Sequence, residues 1–375
     1  MRRPVVFAIT LGLILTLTLA GSLMLFIVPK SNPESETSSL QAPSIIIDPP
    51  VGRIIYNLST SAPTLNLNTS FAVTPIYSGY GGVINLTESN NGPTPVYVYG
   101  FGIGWKNTSI ENWRNTSVLI SSGKEASLGM LFFPAPANVT EGIFSIMIKV
   151  EVENNQSTGW ENLGTYQTNA NMRASITSPL TYQNYTIETN PSFDYSTVND
   201  IIDPVTTKVL ASNILANNSN IYSIQAVADA FDWVRGHVTY VYDTQDHWQS
   251  PAETLSWRTG DCKDQSILLA SIIDQMGGDA RVNIINEHAF TTVYIGDNET
   301  NLTNVQKAIS SHYGTDVPIY FLKDFIGYWM VIDTTGFPYA GGLPTLSGPV
   351  LNDPSHSWSF DSSRWLIEID TRGSK

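Results

Sequence analysis

The sequence predicts two domains of different class behind a membrane-spanning segment: an all-β sandwich followed by an α+β domain. Three observations carry this reading. An uncharged apolar run opens the chain, short β-branched and aromatic runs fill residues 50 to 175, and beyond residue 220 helical periodicity gives way to a series of strands. At 375 residues the chain has length for two ordinary domains once the first fifty are set aside.

Arg2 and Arg3 precede the uncharged run from Pro4 to Val28, which exceeds the ~20 residues a helix needs to cross a bilayer. Residues 1–29 therefore read as a membrane anchor. The competing reading is a cleaved signal peptide with small residues at Thr18 and Ala20, but the apolar run continues through Leu23, Met24, Leu25, Phe26 and Ile27, past the end of a short signal core. The two arginines keep the N-terminus in the cytoplasm, so a single-pass topology at the cell membrane with an extracytoplasmic body is expected. Residues 30–48 are rich in Ser, Pro, Glu and Thr and read as a disordered stalk.

Within residues 49–176, six segments suggest strands: SFAVTPIY, GGVINLTE, PVYVYGFGIGW, SVLISS, EASLGMLFF and FSIMIKVEVE. The last alternates, with Phe144, Ile146, Ile148, Val150 and Val152 on one face. Turns between the segments and the lack of a helical period predict a β-sandwich of immunoglobulin type. Its partner is not legible from the sequence.

Residues 177–219 form a polar linker with a helical lead-in around Val205 to Leu215, and residues 220–375 the α+β domain. In the latter, Ile224, Val227, Phe231 and Val234 recur at helical spacing, and a short strand is expected at Val238 to Tyr242. Thr254 to Met276 reads as helix, buried through Ile267, Leu268, Ile272, Ile273 and Met276 and closed by Gly277-Gly278. Strands are predicted at Arg281–Ile285, Ala289–Ile295, Ile319–Leu322, Tyr328–Asp333 and Trp365–Ile369. Residues 297–317 read as an inserted loop or short helix.

Nineteen Lys and Arg against 33 Asp and Glu give a formal charge of −14, which repels phosphate backbones and argues against a nucleic-acid partner. Eleven Asn-X-Ser/Thr sequons, a modest excess over chance, agree with an extracytoplasmic body. A single cysteine, Cys262, excludes intramolecular disulfides, so each domain is held by its core.

Cysteine acyl transfer needs a thiolate, a base, a group that orients the base, and donors for an oxyanion. Cys262 follows the loop Trp257-Arg258-Thr259-Gly260-Asp261 at the start of a helix, where the dipole favours a thiolate; neighbouring Asp261 and Asp264 oppose it, so an imidazolium partner is the natural candidate. His288 opens a strand and Asp333 ends one, positions from which an acid can fix the tautomer of the base. Against these stand plainer roles: a small buried hydrophobe for Cys262, a structural histidine for His288, and a turn cap into Thr334-Thr335-Gly336 for Asp333. The polar neighbours of Cys262 argue against an apolar burial site. Asp261 reads as a helix cap.

Gly260-Asp261-Cys262-Lys263-Asp264 before an apolar helix, Glu287-His288-Ala289-Phe290 at the start of a strand, and Val331-Ile332-Asp333-Thr334-Thr335 together resemble the transglutaminase-like superfamily. The three blocks occur in that family's order of Cys, His, Asp, over about residues 220 to 370. The resemblance implies a papain-like α+β core, a thioester acyl-enzyme, and a peptide or carboxamide substrate, with Cys262, His288 and Asp333 as the triad. Cys262 to His288 spans a compact 26 residues, while His288 to Asp333 is stretched to 45. The family's oxyanion partner upstream of the cysteine has three candidates here, Trp248, Gln249 and Trp257. Gln249 or Trp248 is favoured, because Trp257 is expected to pack in the core; the backbone N–H of Cys262 is the second donor.

Hydrolysis is favoured over transfer, since amine transfer needs a site that excludes water. The reading from a different class is a catalytically idle binding or adhesion module, and in either case Trp248, Trp329, Tyr240 and Tyr242 are candidates to line a groove. His237, His247, His312 and His356 lack ligand spacing, and no Ca²⁺ loop, P-loop or dinucleotide fingerprint is present, so neither metal nor cofactor is expected.

Overall fold

The structure is a computed structural model; it describes residues 55–56, 65–154, 159–178, 198–245, 247–285, 288–342, 358–360 and 367–371. The expected anchor at 1–29, its alternative processing site and the stalk at 30–48 lie outside the described residues. Among the described residues no helix is long and apolar enough to cross a membrane.

The first domain is built from strands β1 (Ile55–Tyr56), β2 (Leu67–Val73), β3 (Gly81–Asn90), β4 (Val96–Trp105), β5 (Glu111–Ile120), β6 (Lys124–Pro134), β7 (Glu141–Asn154) and β8 (Gly159–Ser175). They form a five-stranded sheet ordered β1-β8-β7-β4-β5 and a three-stranded sheet ordered β2-β3-β6. Side chains alternate across a strand, and on β7 Phe144, Ile146, Ile148, Val150 and Val152 are all buried, as the alternation predicts. They meet Ile84, Leu86, Leu131 and Phe133 of the other sheet in one core. Each such side chain contributes about 1.5–3 kcal/mol on burial. Trp105 packs in this core, its ring against Phe133 and Phe144 and its Nε1–H donating to the Pro134 carbonyl at 2.7 Å. The long strand β8, which lies beyond the six expected segments, is polar and half exposed. With only an apolar minority on one face it has no strand signature of its own, and its 17 residues are held by pairing with β7.

The second domain contains helices α1 (Val198–Ile201), α2 (Lys208–Asn217), α3 (Ile224–His237), α4 (Pro251–Trp257), α5 (Cys262–Met276) and α6 (Glu299–Tyr313). Its main sheet is ordered β15-β13-β14-β12-β11-β16, with β11 (Ala280–Ile285), β12 (His288–Gly296), β13 (Tyr320–Lys323), β14 (Tyr328–Ile332), β15 (Trp358–Phe360) and β16 (Ile367–Asp370). Neighbours are antiparallel except β13 and β15. Helix α5 is buried from Lys263 to Ile273 and packs on β11 and β12. The helical lead-in, α2, places Ala211 and Ile214 in this core.

Three expectations are corrected. The helix expected from Thr254 to Met276 is two helices, because Arg258 adopts a left-handed conformation (φ 57°) and a new cap forms at Asp261. Between them β10 (Thr259–Gly260) pairs in parallel with β9 (Thr239–Tyr240). Residues 297–317 contain a 15-residue helix, α6, started by the Asn298 side chain, which accepts from Asn301 N, and ended by left-handed Gly314. Trp257 is 53% exposed and not in the core: it is the last residue of α4, on the solvent side.

The two domains share buried surface. Tyr77, Tyr80, Val83 and Phe132 from the sandwich join the core of the second domain. Tyr80 packs edge-on against Tyr320 at 5.0 Å, and its hydroxyl lies 2.9 Å from that of Tyr339. Tyr339 itself donates to the Pro318 carbonyl, so the proton between the hydroxyls comes from Tyr80.

Candidate active site

Cys262 is the first residue of α5 and is partly exposed. The helix begins there because Asp261 accepts from the N–H groups of Lys263 and Asp264, while the Asp264 carboxylate accepts from Asp261 N at 3.0 Å. This reciprocal box satisfies three of the N–H groups at the helix start. As the first residue of the helix, Cys262 carries one of the N–H groups that have no acceptor within the helix. Gly260 must lack a side chain, since a Cβ there would lie 2.8 Å from that of Asp264. The Lys263 ammonium is drawn back onto Asp261, with Asp243 3.9 Å away. Burial raises the Asp264 carboxyl to about 6, although the Gln249 N–H bonds it.

His288 and Asp333 are brought together by neighbouring strands, β12 and the end of β14. His288 Nε2 lies 2.8 Å from Asp333 Oδ2. The other oxygen, Oδ1, accepts from Thr335 N at 2.9 Å and from its hydroxyl at 2.8 Å. Asp333 thus caps the turn as well as holding the ring. With Nε2 engaged, Nδ1 is left for Cys262, with whose side chain the ring also interacts. Burial by itself would lower the His288 pKa; the Asp333 charge and hydrogen bond, followed by Cys262, outweigh burial and raise it to about 10.

A second layer ties the two halves of the site together. Thr334 Oγ1 donates to Gln265 Oε1 at 2.7 Å, and Gln265 Nε2 donates to the Gly260 carbonyl at 3.2 Å. Arg235 of α3 donates to the Thr334 carbonyl at 2.6 Å and to that of Gly336 at 3.3 Å. Burial lowers the Arg235 pKa and the Asp333 charge pulls it back up. The sequence reading did not single out Gln265, Thr334 or Arg235. Gln265 stands one turn from Cys262 and Thr334 follows Asp333, which is the only signal either gives.

Of the three upstream candidates, Gln249 is the one bonded to the helix of Cys262, through its N–H to Asp264 Oδ1 at 3.0 Å; its side-chain oxygen is 3.2 Å from the Thr254 hydroxyl. Trp248 packs against the core edge. Trp257 faces solvent, its ring 6.3 Å from that of His247. Trp329 does not line a groove: it is fully buried, with the Arg281 guanidinium 3.5 Å from its ring centroid. Tyr240 and Tyr242 are 50% and 73% exposed. Among the described residues no group of three or more His, Cys, Asp or Glu is disposed to hold a metal ion.

The family model described as the transglutaminase-like superfamily matches residues 208–309, a span that includes Cys262 and His288 and stops short of Asp333. No curated protein matches the chain in sequence. Among solved structures, one from Cytophaga hutchinsonii, assigned provisionally as a cysteine protease, is 12% identical, covers 83% of this chain and 98% of its own, and superposes with a TM-score of 0.25. A protein from Archaeoglobus fulgidus is 13% identical over 31% of this chain and 99% of its own, at a TM-score of 0.20. Likenesses at such TM-scores carry no argument about activity. The chain contains a transglutaminase-like domain at residues 208–309, in keeping with the resemblance carried by its cysteine and histidine blocks.

Proposed function

We propose that the protein is a cysteine-dependent hydrolase acting on peptide or carboxamide bonds through Cys262, His288 and Asp333. The observation that carries this reading is the 2.8 Å pairing of the buried His288 ring with Asp333, in a setting where Cys262 also acts to raise the pKa of that ring. With a pKa of about 10, His288 holds its proton at neutral pH. The sulfur of Cys262 attacks the carbonyl carbon, and the oxyanion is received by the Cys262 N–H and the Gln249 side chain. The tetrahedral adduct collapses to a thioester as the proton of His288 passes to the departing amine. Water, giving a proton to His288, then attacks the thioester, and the carboxylic acid leaves as the thiolate of Cys262 is restored beside the protonated ring. Asp333 keeps the ring oriented throughout.

The same reading anchors the chain to the cell membrane through residues 1–29, with the body outside the cytoplasm. It is supported by the apolar run behind two arginines and by the sequons: Asn68, Asn85, Asn107, Asn115, Asn138, Asn217 and Asn298 are exposed and Asn301 is half-buried, so each is at the surface.

The test is the pH–rate profile of iodoacetamide alkylation, read at the single cysteine by mass, for the native chain and His288→Ala. Labelling that is fast at pH 6 and slows in the variant supports the pair. Labelling that rises only near the ~8.5 of a free thiol, and is the same in both, refutes it and leaves the binding module.

A further inference from the structure

Two helix starts meet at one carboxylate. Asp264, in the first turn of α5, is fully buried. Its Oδ2 accepts from the N–H of Asp261 at 3.0 Å, the reciprocal half of the cap. Its Oδ1 accepts at 3.0 Å from the N–H of Gln249, the residue before the Ser250 cap of α4. The cap needs only the first of these bonds, and burying a carboxylate is costly. The second bond ties the helix of the cysteine to a chain segment fifteen positions earlier.

Each tie ends next to a donor that the reaction needs. Asp261 is bonded immediately before Cys262, whose own N–H has no acceptor within the helix. Gln249 is buried; its side-chain oxygen takes the Thr254 hydroxyl at 3.2 Å, and its Nε2 has no partner among the described residues. The junction is tight, since a Cβ on Gly260 would lie 2.8 Å from that of Asp264.

We infer that Asp264 is the positioning residue of the oxyanion site: by holding both backbones at once, it sets the spacing between the Gln249 amide and the Cys262 N–H. This rests on the reading of Cys262 as nucleophile and of those two groups as the donors to the oxyanion. The role demands an ionised carboxylate. Two N–H groups on two different oxygens need two acceptors, whereas a carboxamide offers one oxygen and protonation places a hydrogen on one of the two. Burial raises the Asp264 pKa to about 6; the Gln249 N–H opposes it, the Asp261 charge adds to it, and the Asp261 N–H and Lys263 oppose it. Around these, Asp243 stands 3.9 Å from Lys263, Tyr240 of β9 interacts with Asp261 and Lys263, and the His247–Glu253 pair lies at the surface. The site therefore loosens as the pH falls through about 6.

The experiment compares two reactions of one sulfur in the full chain in detergent, both read by mass at Cys262. With p-nitrophenyl acetate the sulfur adds to the ester carbonyl, an oxyanion forms, and the C–O bond breaks to release p-nitrophenolate and leave an acetyl thioester. With iodoacetamide the sulfur displaces iodide from carbon and no oxyanion forms. The ratio of acetylation to alkylation cancels the thiolate fraction and the pairing with His288, which both reactions share. In the native chain this ratio should fall about fivefold from pH 8 to pH 5. Asp264→Asn should lower it roughly tenfold at pH 8 and flatten its pH dependence. In a Gln249→Ala background, where one donor is already gone, the same substitution should lower it by at most about twofold. A carboxylate acting only through its charge predicts otherwise: its loss favours the thiolate and speeds both reactions alike. An unchanged ratio in Asp264→Asn, or the full tenfold fall without the Gln249 side chain, overturns the positioning role and leaves Cys262 the nucleophile. A native ratio that is constant from pH 8 to pH 5 overturns it with no variant at all, so the inference stays open to refutation even if Asp264→Asn does not fold. Iodoacetamide labelling that is slow at pH 6 and independent of His288 overturns the nucleophile and this inference together.

Discussion

The hydroxyl of Thr334 donates to the side-chain oxygen of Gln265 across 2.7 Å, joining the strand end that carries Asp333 to the helix that carries Cys262. Because Gln265 also holds the Gly260 carbonyl at 3.2 Å, one buried amide sets the distance between the nucleophile's loop and the loop of the orienting acid. Gln265→Leu removes both bonds and leaves the buried Thr334 hydroxyl unmatched, at roughly 1–3 kcal/mol, while the Gly260 carbonyl keeps its bond from Val241 N. We predict a lower melting temperature and, beyond that, a slower His288-dependent alkylation of Cys262 at pH 6. Thr334→Val should reproduce the kinetic part with a smaller stability loss.

Asp333→Asn tests orientation against charge. The asparagine oxygen can take over the bonds from Thr335, but its amide then presents a donor to His288 Nε2 where the carboxylate presented an acceptor. The ring is expected to flip its tautomer, and amidase activity to fall roughly 10³- to 10⁴-fold while the melting temperature changes little. Preserved activity would mean that Asp333 serves the turn alone.

The elevated His288 pKa makes a prediction about stability. A histidine whose folded pKa is raised to about 10 stabilises the fold fully below its unfolded value of ~6.5, and that contribution is lost as pH rises through about 10. Chemical unfolding should therefore show stability declining from near pH 6.5 towards pH 10, and His288→Gln should flatten that decline.

In the sandwich, Glu88 faces inward among apolar side chains and takes a hydrogen bond from Thr69 at 2.7 Å. Burial pushes its carboxyl up to about 7, with the Thr69 hydroxyl pulling the other way. Stability should fall as pH rises from ~4.5 to about 7, where the folded state must release a proton it prefers to keep. Glu88→Gln is expected to raise stability at pH 8 by about 1–3 kcal/mol and to be near neutral at pH 4, as read by denaturant unfolding.

Tyr80→Phe removes the donor between the two domains' hydroxyls, since Tyr339 spends its own proton on Pro318. A loss of about 1 kcal/mol is expected. With Tyr77, Tyr80, Val83 and Phe132 embedded in the second domain's core, calorimetry should show one transition for both domains.

Local pattern determined a good deal of this protein. The alternation at Phe144 to Val152 fixed a buried strand face, because the period of two is a property of the extended backbone itself. Gly260-Asp261-Cys262 before an apolar helix announced a capped helix start, since the cap is made by residues three apart. The order of the cysteine, histidine and aspartate blocks suggested a common site. Other features were illegible for a physical reason. β8 is polar and gains its conformation from β7. The break between α4 and α5 needs Arg258 in a left-handed conformation and β10 paired to β9, each residue with a partner twenty positions earlier. Trp257 and Trp329 are alike as sequence, yet one lies at a helix end in solvent and the other beneath Arg281 in the core. Only the tertiary structure decided those, as it decided that Gln265 and Thr334, 69 residues apart, meet: such contacts are made by packing two elements together, and neither segment carries a trace of its partner.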